Sequence, residues 1–440
     1  MPLAYATVIL LVVIALCSAW IAAVVPIEQS VTHIDTEGKY VMTLGKTSLY
    51  YVAHGLAIGS VIAAGILAAL LGGIRILGAG ARAALFVVMV TAAVWAYLSF
   101  TPEEILSSIV FGATGPFVWL TLLFVIAGTD RRVWAVVDPT IRLLAYVSTL
   151  LAFRTLLSSE YRYYAGFSPY LMYAQLLVWL GGWTLLSATQ LRGARVLVRA
   201  IPLLTALLMA ICSQSRSWTL LAFLLTLAFA MLRSRERESF ASGVNAFLAS
   251  CALCAGAIAL VGVTSPYVLK DGMTGLAARL EEDSRTGQYR AFFNVVPVTD
   301  LLLGRGPKGT WYWNNVGEYQ FFDNGYVWTL FVGGVPMLIG YSVVLLWPSV
   351  QALRARPVGA DAAAVCLVLT WTLALTGLST FCLPSIGINN FLVSLWAGRC
   401  HLLLAERAWS AQAALPLASQ RRSLGDRQQV ATNHESLSTL

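Results

Sequence analysis

At 440 residues the chain is 58% hydrophobic and only 11% charged, under half the roughly 25% charge of a soluble globular domain. A soluble fold of this size would lack the polar surface it needs. The net charge of +8 comes from basic residues scattered between apolar runs, so it marks membrane topology and no nucleic-acid partner is expected.

The runs at 3–27, 49–72, 244–264 and 361–383 each supply about 20 largely apolar residues, the length that crosses about 30 Å of hydrocarbon as a helix. No strand alternation runs through them, which argues against a transmembrane barrel. In chain order the pattern predicts helices at 3–27, 49–72, 81–100, 107–127, 136–157, 169–190, 196–212, 217–232, 244–264, 323–346, 361–383 and 386–405. The expected fold is an all-α polytopic membrane protein of about 12 transmembrane helices. Residues 1–264 hold the first nine, 265–322 form one large loop, 323–405 hold the last three, and 406–440 form a polar, disordered tail.

The arginines test this order. With the N-terminus inside, the inner connections carry Arg75 and Arg82, then Arg131, Arg132 and Arg142, then Arg192, Arg195 and Arg199, then Arg233, Arg235 and Arg237, then Arg354 and Arg356. The outer ones carry Glu103 and Glu104 or almost no charge, as the positive-inside rule demands. Two outer segments break the pattern: 154–168, with Arg154 and Arg162 among tyrosines, and the turn Ser213-Gln214-Ser215-Arg216-Ser217. The helix centres read as almost free of charge, with His54 the exception, and no internal repeat is visible, which argues against a carrier. The seven cysteines lie in or beside apolar helices, so no disulfide framework is expected; Cys251 and Cys254 read as small core residues.

Four features fall on the outer face. They are the turn that ends at Arg216, the run Gly287-Gln288-Tyr289-Arg290, the turn Gly304-Arg305-Gly306-Pro307, and Asp323-Asn324-Gly325-Tyr326 opening a helix that reaches Gly333-Gly334. An arginine at a membrane boundary is costly unless paired or solvated, so it points to function. Its guanidinium matches phosphate oxygens with two parallel hydrogen bonds and stays charged. Arg216 and Arg290 are therefore candidates to hold a diphosphate, Arg216 with help from a helix N-terminus. Arg290 could equally pair with Glu281, Glu282 or Asp283, and Arg305 and Lys308 could simply be solvated. Arg162 could clamp a sugar or anchor the interface. Asp323 has two readings: the N-cap of its helix, or a base that accepts a proton from a sugar hydroxyl. No metal-ligand spacing appears in the outer segments, so no metal and no cofactor are expected.

In these residues the chain resembles the O-antigen ligase and polymerase superfamily, with its Wzy-type polysaccharide polymerases. The matching positions are Ser215-Arg216-Ser217, Arg290, Gly304-Arg305-Gly306-Pro307, Asp323-Asn324 and Gly333-Gly334; the match covers about 150–340. The resemblance implies a GT-C-like membrane fold with one large periplasmic loop, in the bacterial inner membrane, with the site facing the periplasm. It implies transfer of an undecaprenyl-diphosphate-linked glycan donor to a glycan acceptor, with Arg216 and Arg290 on the diphosphate and Asp323 as base. Arg162, Arg305, Asn324 and Tyr326 join them as substrate-binding candidates. A flippase and a chain-length regulator are the implied partners beside the bilayer. Ligases of this group carry His where this chain has Asp323, so a polymerase is expected, with an O-antigen ligase as the alternative. A lipid-linked oligosaccharide flippase or solute carrier is the competing class, since its substrate would meet the same membrane face.

Overall fold

The computed structural model describes residues 2–25, 28–34, 40–45, 47–105, 116–157, 169–264, 266–281, 285–313, 317–319, 322, 324–375, 387–410 and 412. Helix α1 (Pro2–Val24) leads into an antiparallel hairpin, β1 (Glu28–Ile34) with β2 (Tyr40–Gly45), then α2 (Ser48–Leu70) and α3 (Ala79–Ser99). A 3-10 segment, Pro116–Leu123, runs into one helical turn, Phe124–Ala127. There follow α4 (Arg131–Leu157), α5 (Pro169–Leu186), α6 (Ala194–Cys212), α7 (Arg216–Glu236) and α8 (Phe240–Thr264). Three shorter helices come next, α9 (Pro266–Glu281), α10 (Arg285–Val295) and α11 (Val298–Leu303), with a second hairpin, β3 (Trp311–Trp313) and β4 (Gly317–Tyr319). Helix α12 (Gly325–Tyr341) continues through a π turn, Ser342–Leu346, into Trp347–Arg354. Helices α13 (Gly359–Leu373) and α14 (388–410) close the bundle.

Seven of the described helices are long and apolar enough to cross a membrane: α1, α2, α3, α4, α6, α7 and α12 with its continuation. The protein is an all-α multi-pass membrane protein. Helix α3 shows why water is the wrong solvent, since Phe86, Tyr97 and Leu98 point outward and are well exposed while Leu85, Val88 and Ala92 face the bundle. Helix α5 is the centre. Its residues Leu176 to Leu180 and Trp183 are almost wholly buried, and a Cβ on Gly181 would lie 2.6 Å from the backbone nitrogen of Leu203. Helices α5 and α6 thus meet backbone to backbone, as small residues allow in membranes.

Contacts across the bundle define two ends. At one, Tyr5 Oη donates to the carbonyl of Leu71, Arg131 pairs with Glu406, Arg235 donates to the carbonyl of Pro357, Arg407 to that of Ala355, and the amide of Gly359 to Glu236. This is the arginine end. At the other, Lys308 Nζ lies 2.9 Å from Glu104, just after α3, and Gly306 packs on Trp95 and Ser99. The 265–322 segment sits here, at the loop end.

The predicted helix positions agree with the observed ones to within a few residues over most of the described chain; the helix predicted at 323–346 runs on to Arg354, and 376–383 of the 361–383 prediction lie outside the described residues. Two stretches differ more. The 107–127 stretch is a 3-10 segment over 116–123, and 106–115 lie outside the described residues. The 265–322 loop contains three helices and a hairpin. These helices are short, and α10 buries Gln288, Phe292 and, just past its end, Val296 at a four-residue spacing: an amphipathic pattern too brief to register beside membrane-length runs. The charge-free helix centres also need correction. Arg399, inside the predicted 386–405 span, is 2.6 Å from Asp361, and Asp138 pairs with Arg142 within α4. Asp138 also accepts from Trp183 Nε1 at 2.9 Å, and the Arg399 guanidinium sits 4.9 Å from the Trp134 ring centre. Each charge is paired, and one member of each pair, Asp138 and Arg399, meets a tryptophan, which suits charges partly withdrawn from water.

Candidate functional site

The turn before Arg216 is a Schellman motif that closes α6. Ser213 is the C-cap, the amide of Gln214 donates to the carbonyl of Ile211, and the amide of Ser215 donates to that of Ala210, both at 2.9 Å. The position that glycine usually takes is filled by Gln214, at φ +57°. A non-glycine residue in the left-handed region costs about 1–2 kcal/mol. Ser215 is then the N-cap of α7, its side chain makes no capping bond, and Arg216 is the first residue of the helix. Arg216 is half-buried at the loop end.

Helix α9 lies across this turn. A Cβ on Gly272 would be 2.8 Å from the carbonyl oxygen of Ile211 and 3.0 Å from Cys212 Cα, and one on Gly275 would meet the Gln214 side chain at 2.1 Å. The two glycines, three residues apart, let the loop helix rest on the backbone that positions Arg216.

The next helix of the loop carries Arg290. Gln288 and Phe292 of α10 are buried, and Arg290, between them in sequence, is exposed on the other face. Phe292 fixes that orientation. Its ring centre is 4.7 Å from Phe322, 5.3 Å from Trp311 and 5.5 Å from Phe331 of α12, and all four rings are at most 2% exposed. Such aromatic pairs contribute about 0.5–1.5 kcal/mol each beyond area burial.

The start of α12 revises one expectation. The N-cap is Asn324 and not Asp323: Asn324 Oδ1 accepts from the amides of Tyr326 at 2.9 Å and Val327 at 3.1 Å. Its Nδ2 donates to Tyr289 Oη at 2.8 Å, so one side chain caps the membrane helix and ties it to α10. Asp323 itself lies outside the described residues, between Phe322 and Asn324. Tyr326 Oη donates to the carbonyl of Thr372 on α13 at 2.8 Å, which directs it into the bundle.

The two glycine motifs are mated. Pro336 has no N–H, so the carbonyl four residues back, on Val332, loses its helical donor. Gly334, at φ +72° and ψ −175°, breaks the helix there. The turn Gly304-Arg305-Gly306 supplies the missing donors: the amide of Arg305 to Phe331 at 2.7 Å and the amide of Gly306 to Val332 at 3.0 Å. Broken helices at membrane depth require such partners. The Arg305 side chain donates to Asp300 and to the carbonyl of Thr310, both at 2.7 Å, and so braces the turn that carries it. Arg162 lies outside the described residues. Among the described residues, no three His, Cys, Asp or Glu side chains group as metal ligands would.

The structure thus brings the loop onto the turn that precedes Arg216 through Gly272 and Gly275, and onto the head of α12 through Tyr289. Neither glycine is singled out in the sequence, and Tyr289 enters there only as part of the run that ends at Arg290. A Gly-x-x-Gly spacing on a polar helix was the visible signal for the former; a lone tyrosine gave none. Compared with protein-family models, with curated proteins and with solved structures, the chain matches none of them.

Proposed function

We propose that this protein is a metal-independent glycosyltransferase that polymerises undecaprenyl-diphosphate-linked repeat units into an exopolysaccharide, capsule or O-antigen chain at the periplasmic face of a bacterial inner membrane. The observation that carries the reading is the seating of α9 on the strained turn that precedes Arg216. A half-buried arginine opens a membrane helix there, beneath a loop whose next helix presents Arg290. This is a built cover over a membrane-level cation.

In the reaction, an acceptor sugar hydroxyl attacks the anomeric carbon of the lipid-linked sugar. The bond from that carbon to the diphosphate oxygen breaks, and undecaprenyl diphosphate leaves. Arg216 and Arg290 neutralise the charge that gathers on the leaving group, the interaction that most repays a preorganised site. The hydroxyl proton passes to Asp323. Bidentate guanidinium contact supports a phosphate ligand over a bare sugar.

Reconstitution in liposomes with the lipid-linked repeat unit tests this. A ladder of products one repeat apart is expected. Transfer of single units to lipid A–core in place of a ladder would make the protein a ligase. Movement of the lipid-linked unit across the bilayer without bond formation would make it a flippase.

A further inference from the structure

A cavity opens at the loop end of the bundle. It measures about 200 Å³ and lies between α1, α2, α5 and α14. Four polar side chains reach it: Tyr50 and His54 of α2, Gln175 of α5 and Asn389 of α14. His54 is 3% exposed and stacks on the Tyr50 ring, centres 5.4 Å apart and planes within 16°. Asn389 Oδ1 is buried and has no hydrogen-bond partner among the described residues. A buried polar atom left without a partner is costly and calls for an explanation. Ala57 and the alanines at the end of α1 line the rest and leave the room that larger side chains would fill.

The chemistry of this lining is selective. Among the described residues it carries no Lys or Arg, so these residues offer a diphosphate no cation. Two carboxamides among the lining residues supply hydrogen-bond donors and acceptors, which complement ring hydroxyls. A tyrosine and an imidazole supply flat faces. The volume is below the roughly 300–1,000 Å³ of sites for drug-sized ligands, which suits one ring and not a chain. A hydrocarbon tail would leave the Asn389 oxygen unpaired.

We infer that this cavity binds one uncharged saccharide ring, with Asn389 and Gln175 on its hydroxyls and Tyr50 or His54 against its face. That the ring belongs to the acceptor glycan rests on the proposed reaction; the binding itself does not. The test therefore reads binding alone. Purified protein in nanodiscs is mixed with a neutral hexose, a 6-deoxyhexose or an N-acetylhexosamine, and saturation transfer from protein to sugar is recorded by NMR. Binding in the range of about 1–10 mM is expected, since a small ligand has few atoms with which to offset association costs. Asn389→Leu should weaken it about tenfold or more. Ala57→Phe should abolish it by filling the space, with a melting curve to check its fold; if that variant does not fold, Asn389→Leu decides. Inorganic diphosphate should not compete. Absence of transfer to all three sugars in the wild type, equal transfer with Asn389→Leu, or displacement by diphosphate would each overturn the inference. None of these outcomes bears on the polymer ladder, so the two proposals fail separately.

Discussion

Asn324 and Tyr289 are joined by a single hydrogen bond of 2.8 Å, and through it the loop and the membrane bundle share one fixed point. The Asn324 side chain uses its oxygen to cap α12 and its nitrogen to hold α10. Both tasks belong to Asn324. This separates two roles that adjacent residues could otherwise confuse.

Replacement of Asn324 should therefore cost stability in two portions. Asn324→Ala removes the cap, about 1 kcal/mol by itself, and the bond to Tyr289. Asn324→Asp keeps the cap but loses the donor to Tyr289. Thermal unfolding in detergent should rank wild type above Asn324→Asp and Asn324→Asp above Asn324→Ala. Tyr289→Phe leaves the cap in place and removes the bond to Asn324, and should cost about 0.5–1.5 kcal/mol, the contribution of one neutral hydrogen bond. A melting point for Asn324→Ala equal to wild type would remove Asn324 from the cap.

Asp323 should behave differently. Both Asp323→Asn and Asp323→Ala should fold and reach the membrane in wild-type amounts, because the α12 cap is Asn324. Both should form product slowly, by about the 10²–10⁴-fold that a positioned acid or base contributes. Wild-type polymer from either variant would show that the base lies elsewhere.

The turn over Arg216 gives a test of geometry. Gly272→Ala drives a methyl against the Ile211 carbonyl and Cys212 Cα, which are backbone. It should lift α9 and cost about 1–3 kcal/mol, the range for overpacking. Gly275→Ala meets only the movable end of Gln214 and should cost less. Gln214→Gly should stabilise the turn by about 1 kcal/mol by removing the left-handed strain. Limited proteolysis across 265–300, beside the melting curves, would read the lifting directly; equal protection in Gly272→Ala and wild type would count against the seating.

Lys308 and Glu104 tether the loop to the end of α3. Thr101 and Glu104 form a capping box there, with the Thr101 amide 2.9 Å from Glu104 Oε2. The hydrogen bond from Lys308, then that from the Thr101 amide, hold the Glu104 carboxyl below the usual carboxylate range. A lowered folded value means that the tether is fully present above the ordinary carboxylate pKa, and is lost as pH falls through the lower folded one. Protease sensitivity of the loop should rise on that acid limb and rise further with salt, because the pair is exposed. Glu104→Gln should remove the pH step; its persistence in that variant would assign the step to another group.

Much of the bundle was legible because membrane helices announce themselves by length: α1, α2, α3 and α6 fall within a few residues of their predicted spans. The loop was not, since its helices are held by contacts that no local pattern encodes. Phe292 is buried by Phe322 and Trp311, and Tyr289 is bound by a residue 35 positions away. Arg216 and Arg290 were visible as charges out of place. Arg305 looked the same in sequence, and only its bonds to Asp300 and Thr310 mark it as a brace. The N-cap was misplaced by one residue because Asp and Asn are equally good caps, and adjacent candidates differ only in where the helix begins. Arg399 and Asp361 were passed over because their pairing spans two helices.

The central claim is that Arg216 holds a leaving diphosphate. Arg216→Lys keeps the charge and loses the planar fork, so it separates bidentate contact from mere topology. The measurement is the rate of polymer formation from the lipid-linked repeat in liposomes that carry equal amounts of folded wild type and Arg216→Lys. The account predicts a loss of about 10²–10³-fold, the size of one preorganised contact to developing charge, with Arg290→Lys less impaired. Polymer made by Arg216→Lys at the wild-type rate would contradict it.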